Sequence, residues 1–315
     1  MQQYLLRRLL LLVPTIILIS ILVFSFVRFL PGSVVSILVG DAGASQEEIQ
    51  KELHRLGLDQ PIHLQYVVWF GNVLQGDLGR SLSSNRPVIK DLEQRIPVTV
   101  ELVLMSLVVA LLIGVPIGTI SAIRQDSWAD YLTRSFAIGG LAIPSFWLAT
   151  MAIFMFTIAF GWIPPLRYES VLDAPWENFQ QFIFPAVILG LYTGAIVMRM
   201  MRTSLLEVLR QDYIRTAWSK GLRERTVLVR HALKNSLIPV VTILGIEIAS
   251  LVGRAVVVEP IFALPGLGHY IYTVILARDY PAVQAVNLLL ATFTVGINLA
   301  VDMSLAYFDP RIRYK

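Results

Sequence analysis

The sequence predicts an all-α integral membrane protein with six transmembrane helices and a helical external segment inserted after the first. Three observations predict it. Hydrophobic residues make up 56% of the 315 and charged residues only 15%, with mean hydropathy +0.66, whereas a soluble domain carries roughly 25% charged residues. Six stretches offer about the 20 apolar residues needed to cross a hydrocarbon core roughly 30 Å thick. Basic residues are concentrated in alternate inter-span segments, as the positive-inside rule requires. Together these exclude a disordered or collagen-like chain and a pair of soluble domains.

The spans run from about Leu9 to Leu30, Val98 to Ile123, Leu132 to Phe160, Phe182 to Met201, Leu237 to Val258 and Ala282 to Tyr307. Arg7 and Arg8 before the first apolar run resemble the start of a secretory signal. The run is longer than a usual signal core and no small-x-small cleavage site follows, so an uncleaved span is expected. Segment 31–97 has six basic and eight acidic residues, whereas 199–236 has nine basic and three acidic. Segments 161–180 and 259–283 are net acidic, and the tail is net basic. Both termini and 199–236 are therefore expected inside, and 31–97 outside. This placement accounts for the net charge of +4 without a nucleic-acid partner. The expected organisation is a first helix over 1–30, an external helical segment over 31–97, a five-helix core over 98–307 and a cytoplasmic tail over 308–315.

Segment 31–97 has its own helical pattern. Ser45 and Glu48 form a capping box before Ile49, Leu53 and Leu56, and Gly57 supplies a stop. Pro61 starts a second helix through Tyr66, Trp69 and Phe70, ending near Gly76. A third is expected from Val88 to Arg95, before Pro97. The segment suits either a structural cap or a docking surface for an external partner.

Catalytic constellations are missing. There is no Cys, and His54, His63, His231 and His269 have no helical metal-pair spacing. No phosphate-binding P-loop, G-x-S-x-G or H-E-x-x-H occurs, so any ATP must be bound by another chain. Charges within spans are costly and therefore informative. Arg28, Glu101 and Asp302 lie near span ends, within reach of water. Glu247 lies near the middle of span five, and Arg254 follows two helical turns later on the same face. The two form either a structural charge pair or the lining of a pathway. Pro14, Pro116, Pro144 and Pro239 bend or end their helices.

The most informative stretch is 203–236. Leu205, Leu206, Val208 and Leu209 begin an amphipathic pattern that Tyr213, Ala217 and Trp218 continue. Gly221 breaks it, and a second basic helix follows through Val227, Val229, Ala232 and Leu233. A cytoplasmic helix–turn–helix hairpin is expected, able to lever the adjoining spans if a partner grips it.

This hairpin resembles the EAA loop of ABC-importer permeases. Aligned on Gly221, it keeps Ala217 but lacks the general consensus Glu, Ile and final Pro. D-Y-I-R-T-A-x-x-K-G-L at Asp212–Leu222 and R-H-A-L-K-N-S-L-I-P at Arg230–Pro239 resemble the dipeptide/oligopeptide/nickel branch, which departs in the same way. L-G-L-D-Q-P at Leu56–Pro61 with G-D-L-G-R-S at Gly76–Ser81, V-V-V-E-P-I-F-A-L-P-G-L-G at Val256–Gly268 with R-D-Y-P-A-V-Q at Arg278–Gln284, and D-P-R-I-R-Y-K at Asp309–Lys315 extend the likeness over the whole chain. It is closest to the B-type permease. Glu247 and Arg254 stand where Gln and Gly are expected in many members.

The resemblance implies the MetI-like permease fold and a transporter subunit rather than an enzyme. Asp212, Arg215, Thr216, Ala217, Lys220, Gly221, Leu222 and Arg223 would couple it to a cytoplasmic P-loop ATPase. The apolar hairpin positions would fill a groove on that ATPase. Partners would be two ATPase subunits, which would hold ATP and Mg, a second related permease, and an external solute-binding protein. No cofactor is expected in this chain. Peptides, nickel complexes, glutathione and oligosaccharides are all compatible substrates. The alternative is a self-sufficient, ion-coupled secondary transporter, for which Glu247 is the one candidate coupling group at membrane depth.

Overall fold

A computed structural model describes residues 2–29, Glu47, Gln50, Lys51, His54, 59–165 and 167–308. The Ser45–Glu48 capping box, Ile49, Leu53, Leu56, Gly57 and the Asp309–Lys315 tail lie outside the described residues. Among the described residues there is no strand, only an isolated bridge between Arg80 and Pro87. That suits a bilayer, where a helix satisfies its own backbone hydrogen bonds.

The helices are α1 (Gln2–Phe29), α2 (Ile62–Leu74), α3 (Val88–Ile123), α4 (Trp128–Ala142), α5 (Ser145–Phe160), α6 (Pro175–Leu209), α7 (Asp212–Ser219), α8 (Glu224–Ile261), α9 (Leu267–Leu276) and α10 (Tyr280–Phe308). α1, α3, α6, α8 and α10 are each long and apolar enough to cross a membrane, and α4 with α5 makes up to a sixth span.

Four sequence expectations change. The third span, expected as one helix, is broken: α4 and α5 meet at a 99° bend. Pro144 has no N–H to donate and forces Ile143 into extended backbone (φ −89°, ψ 122°), so the first helix must end. The helix expected to stop before Pro97 instead continues through it, making α3 one 36-residue helix. Leu205, Leu206, Val208 and Leu209 belong to α6, not to a hairpin arm. The second basic arm is likewise not a separate helix. Its residues Val227–Leu233 form a π-helical stretch continuous with α8.

The chain divides into two compact units, residues 1–98 with 266–299 and residues 99–265 with 300–315. In the first, Pro61 caps α2, as its fixed φ allows. The helix packs on α1 through Phe24, whose ring lies 5.3 Å from Tyr66 and 5.5 Å from Trp69. Val88 and Leu92 are fully buried. Buried Asp279 begins the α10 turn and accepts hydrogen bonds from the hydroxyls of Ser81 (2.5 Å) and Ser83 (3.0 Å). Tyr270 donates to Asp91 at 3.1 Å, and the Arg95 guanidinium lies 4.2 Å from its ring centre. Burial, and then the Asp91 charge, hold the Tyr270 phenol well above its ordinary pKa.

In the second unit, α6 is the central element, packed against α4, α5 and α8. It also meets α3 backbone to backbone. A Cβ on Gly114 would lie 2.7 Å from the Gly194 carbonyl oxygen, and one on Gly118 would lie 2.6 Å from that of Met198. A Cβ on Gly190 would meet Val109 at 2.7 Å. Gly114 and Gly118, like Gly190 and Gly194, are four residues apart and so share a helix face. This is the small-xxx-small pattern that lets membrane helices approach closely.

Candidate coupling helix and the charged groups of the core

After α6, the residues Arg210 and Gln211 turn the chain into α7. The eight residues of α7 are sharply amphipathic. Ile214 and Ala217 are buried in a cluster with Ala122, Val197, Met201, Leu205, Val227, Ala232 and Val240. Every other α7 residue is exposed, as are Lys220, Gly221, Leu222 and Arg223. Arg215 pairs with Asp212 at 3.3 Å on the open face, and Asn235 donates to the Tyr213 hydroxyl at 2.8 Å.

The helix ends on a Schellman motif. Gly221 has φ +72°, its N–H donates to the Trp218 carbonyl, and the Leu222 N–H donates to the Ala217 carbonyl. A side chain at Gly221 would meet no atom within 4 Å. Glycine is required there for its backbone angle, not for space.

Of the residues singled out from sequence, Asp212, Arg215, Thr216, Lys220, Gly221, Leu222 and Arg223 are all exposed, whereas Ala217 points into the core. The outward apolar groups are Tyr213, Trp218 and Leu222. α7 is thus a rigid exposed ridge, pinned from below to the ends of α6 and α8.

Glu247 and Arg254 are paired. An Arg254 Nη2 donates to Glu247 Oε2 at 2.9 Å and lies 3.1 Å from the Thr193 hydroxyl. The guanidinium lies 4.4 Å from the centre of the Tyr192 ring, and its buried Nε has no hydrogen-bond partner. Tyr192 also lines a cavity of about 260 Å³ between the α4–α5 bend and α6, with Phe136, Ile143, Leu148, Ile188 and Leu191 among its walls. The charged pair is therefore braced by α6 one residue away from an apolar cavity.

In the second unit, two buried carboxylates were not singled out from sequence. Asp130 is fully buried at the start of α4. It receives Nε and Nη2 of Arg202 at 2.8 and 2.7 Å, the Ser121 hydroxyl at 2.5 Å and the Asp126 N–H at 3.1 Å. Glu259, also fully buried, accepts from the Thr99 hydroxyl at 2.6 Å. Both partnerships join residues far apart in the chain, so no local pattern announces them. Glu101, expected near a span end, lies well inside α3, where Tyr168 and Asn178 hydrogen-bond to it. Burial, and then the Glu101 charge, push the Tyr168 phenol upward. Among the described residues no group of three or more His, Asp or Glu is placed to hold a metal ion.

Five helices long and apolar enough to cross a membrane, with a short exposed amphipathic helix between two of them, describe a multi-pass membrane protein. Residues 114–314 match the family described as binding-protein-dependent transport system inner membrane component, and residues 1–103 match its N-terminal domain. The chain belongs to this family: it is a multi-pass permease subunit of an ABC importer, not an enzyme, and such importers work with ATPase and substrate-binding partners. It is 39% identical over 334 aligned residues to the dipeptide transport system permease protein DppB of Alkalihalophilus pseudofirmus, covering 100% of both chains. It is 38% identical over 315 residues, again covering 100% of both, to the glutathione transport system permease protein GsiC of Escherichia coli K12.

Proposed function

We propose that this chain forms half of a translocation pathway for peptides or related small solutes in the bacterial or archaeal inner membrane. The observation that carries the proposal is the two-sided character of α7: Ile214 and Ala217 anchored in the core, the remaining residues offered to a partner. The other half is supplied by a second, related permease in a heterodimer. Two cytoplasmic ATPase subunits bind ATP and Mg. An external solute-binding protein delivers the substrate, and both termini of this chain are cytoplasmic. The substrate class is supported by the names of the relatives, which include dipeptide and glutathione permeases.

Asp212, Arg215, Thr216, Lys220, Gly221, Leu222 and Arg223 form the contact with the ATPase, with Tyr213 and Trp218 filling its groove and the cations orienting it. Ala217 keeps the ridge seated. Because α7 shares a core with Met201 and Leu205 of α6 and with Val227, Ala232 and Val240 of α8, a push on α7 reaches two spans directly. Close-packed side chains pass displacement on rather than absorbing it. Glu247 and Arg254 line the pathway at membrane depth.

The test is purification of the tagged chain from its own membrane in mild detergent. Recovery with a second permease and P-loop ATPases is expected. Recovery of the chain alone, moving solute down an ion gradient in liposomes, would overturn the proposal in favour of a secondary transporter.

A further inference from the structure

The helix α2 lies in segment 31–97, which its charge balance assigns to the outside. Its surroundings contradict a water-facing position. The Tyr66 hydroxyl is hydrogen-bonded to Ser20 at 2.8 Å. Ser20 lies inside the apolar window Leu10–Val27 of α1, about 10 Å short of its end at 1.5 Å rise per residue. The Phe24 ring, about one turn nearer that end, packs on both Tyr66 and Trp69. The middle of α2 is thus fastened to α1 at hydrocarbon depth.

The outward face of α2 agrees. Tyr66, Trp69, Phe70 and Val73 share the face turned toward α1. The opposite face presents Leu64, Val67 and Val68, which are 45%, 63% and 57% exposed, around Gly71. From Ile62 to Gln75 there is no Asp, Glu, Lys or Arg. A helix lying in water would place charges there. At 13 residues, or about 20 Å, it is too short to span a hydrocarbon core of about 30 Å. On α1, to which it is fastened, Ile17, Leu18, Ile21 and Leu22 are exposed as well.

We propose that α2 is a membrane-embedded helix, packed along α1 and covered on its outer face by the acyl chains of the leaflet from which segment 31–97 emerges. The Ser20–Tyr66 bond sets its depth: Ser20 spends its own hydrogen on the Ile17 carbonyl at 2.7 Å, so it accepts from the Tyr66 phenol, which in hydrocarbon would otherwise lack a partner.

The sequence contains no cysteine, so single nitroxide labels are straightforward to place. Leu64→Cys and Val67→Cys test the outward face, and Arg86→Cys, on an exposed loop residue, is the aqueous reference. The full chain, with the subunits that purify with it, is reconstituted in liposomes. The same complex carrying the cysteine-free chain supplies the background. Collision with oxygen, which concentrates in lipid, is compared with collision with a water-soluble nickel chelate. Oxygen contact severalfold above nickel contact is expected at 64 and 67, with the ratio reversed at 86. Nickel contact at 64 and 67 equal to that at 86 would overturn the proposal by placing the face in water. Low contact with both reagents would overturn it by showing that protein covers the face. Neither readout depends on transport.

Discussion

Arg202 meets Asp130 as a two-pronged pair, Nε to Oδ1 at 2.8 Å and Nη2 to Oδ2 at 2.7 Å, with the carboxylate fully buried. Ser121 joins the same carboxylate, so one ion pair ties α3, α4 and α6 together a few turns before α7 begins. Its sequence separation of 72 residues makes it a tertiary fastening.

Removing one partner of a buried pair leaves an uncompensated charge, at a cost of about 3–5 kcal/mol. Asp130→Ala is therefore expected to lower the thermal unfolding midpoint of the purified chain sharply. Arg202→Lys keeps the charge but loses the fork and should fall between that variant and the native chain. An unchanged midpoint in Asp130→Ala would show that the pair does not hold the three helices.

Glu247 and Arg254 should behave differently as a pair than singly. Arg254→Met strands a carboxylate that is only 8% exposed, whereas Glu247→Gln with Arg254→Met removes both charges. The double variant is expected to be the more stable of the two. Its transport should show an altered KM or substrate range. Unchanged transport of every tested substrate would exclude the pair from the pathway.

Gly221→Val and Gly221→Asn separate backbone demand from crowding. The left-handed angle costs a branched residue about 1–2 kcal/mol, while Asn tolerates it. Gly221→Val should insert normally yet transport poorly, and Gly221→Asn should retain most activity. Normal transport by Gly221→Val would count against docking through this turn. Equal loss in both would show that a partner needs the space.

Gly118→Ala and Gly71→Ala test the close crossing of α3 and α6. A Cβ at 118 would press on the Met198 backbone at 2.6 Å, whereas at 71 it meets nothing within 4 Å. Overpacking of that kind costs about 1–3 kcal/mol, but Ala favours an open helix by about 1 kcal/mol over Gly. A lower midpoint is expected for Gly118→Ala, and an equal or higher one for Gly71→Ala. Equal midpoints would show that the helices separate without cost.

The site was partly legible. D-Y-I-R-T-A-x-x-K-G-L marks α7 and its glycine stop because capping and amphipathic spacing are local properties. The direction of Ala217 was not legible, since either face of an eight-residue helix could be the anchored one. Asp130, Arg202 and Glu259 escaped notice for a related reason. A charged residue reads as exposed until its partner, contributed by a distant helix, is brought to it.

Hydropathy and proline placement determined by themselves that the chain is built of membrane helices and that α2 begins at Pro61. Burying apolar surface and losing a backbone donor are decided within a short window. Tertiary structure alone decided that the second hairpin arm is the beginning of α8, that Asp130 serves Arg202, and that Tyr66 is fastened to Ser20. Each of these depends on which helices lie side by side, and that is settled by close packing among segments far apart in the chain.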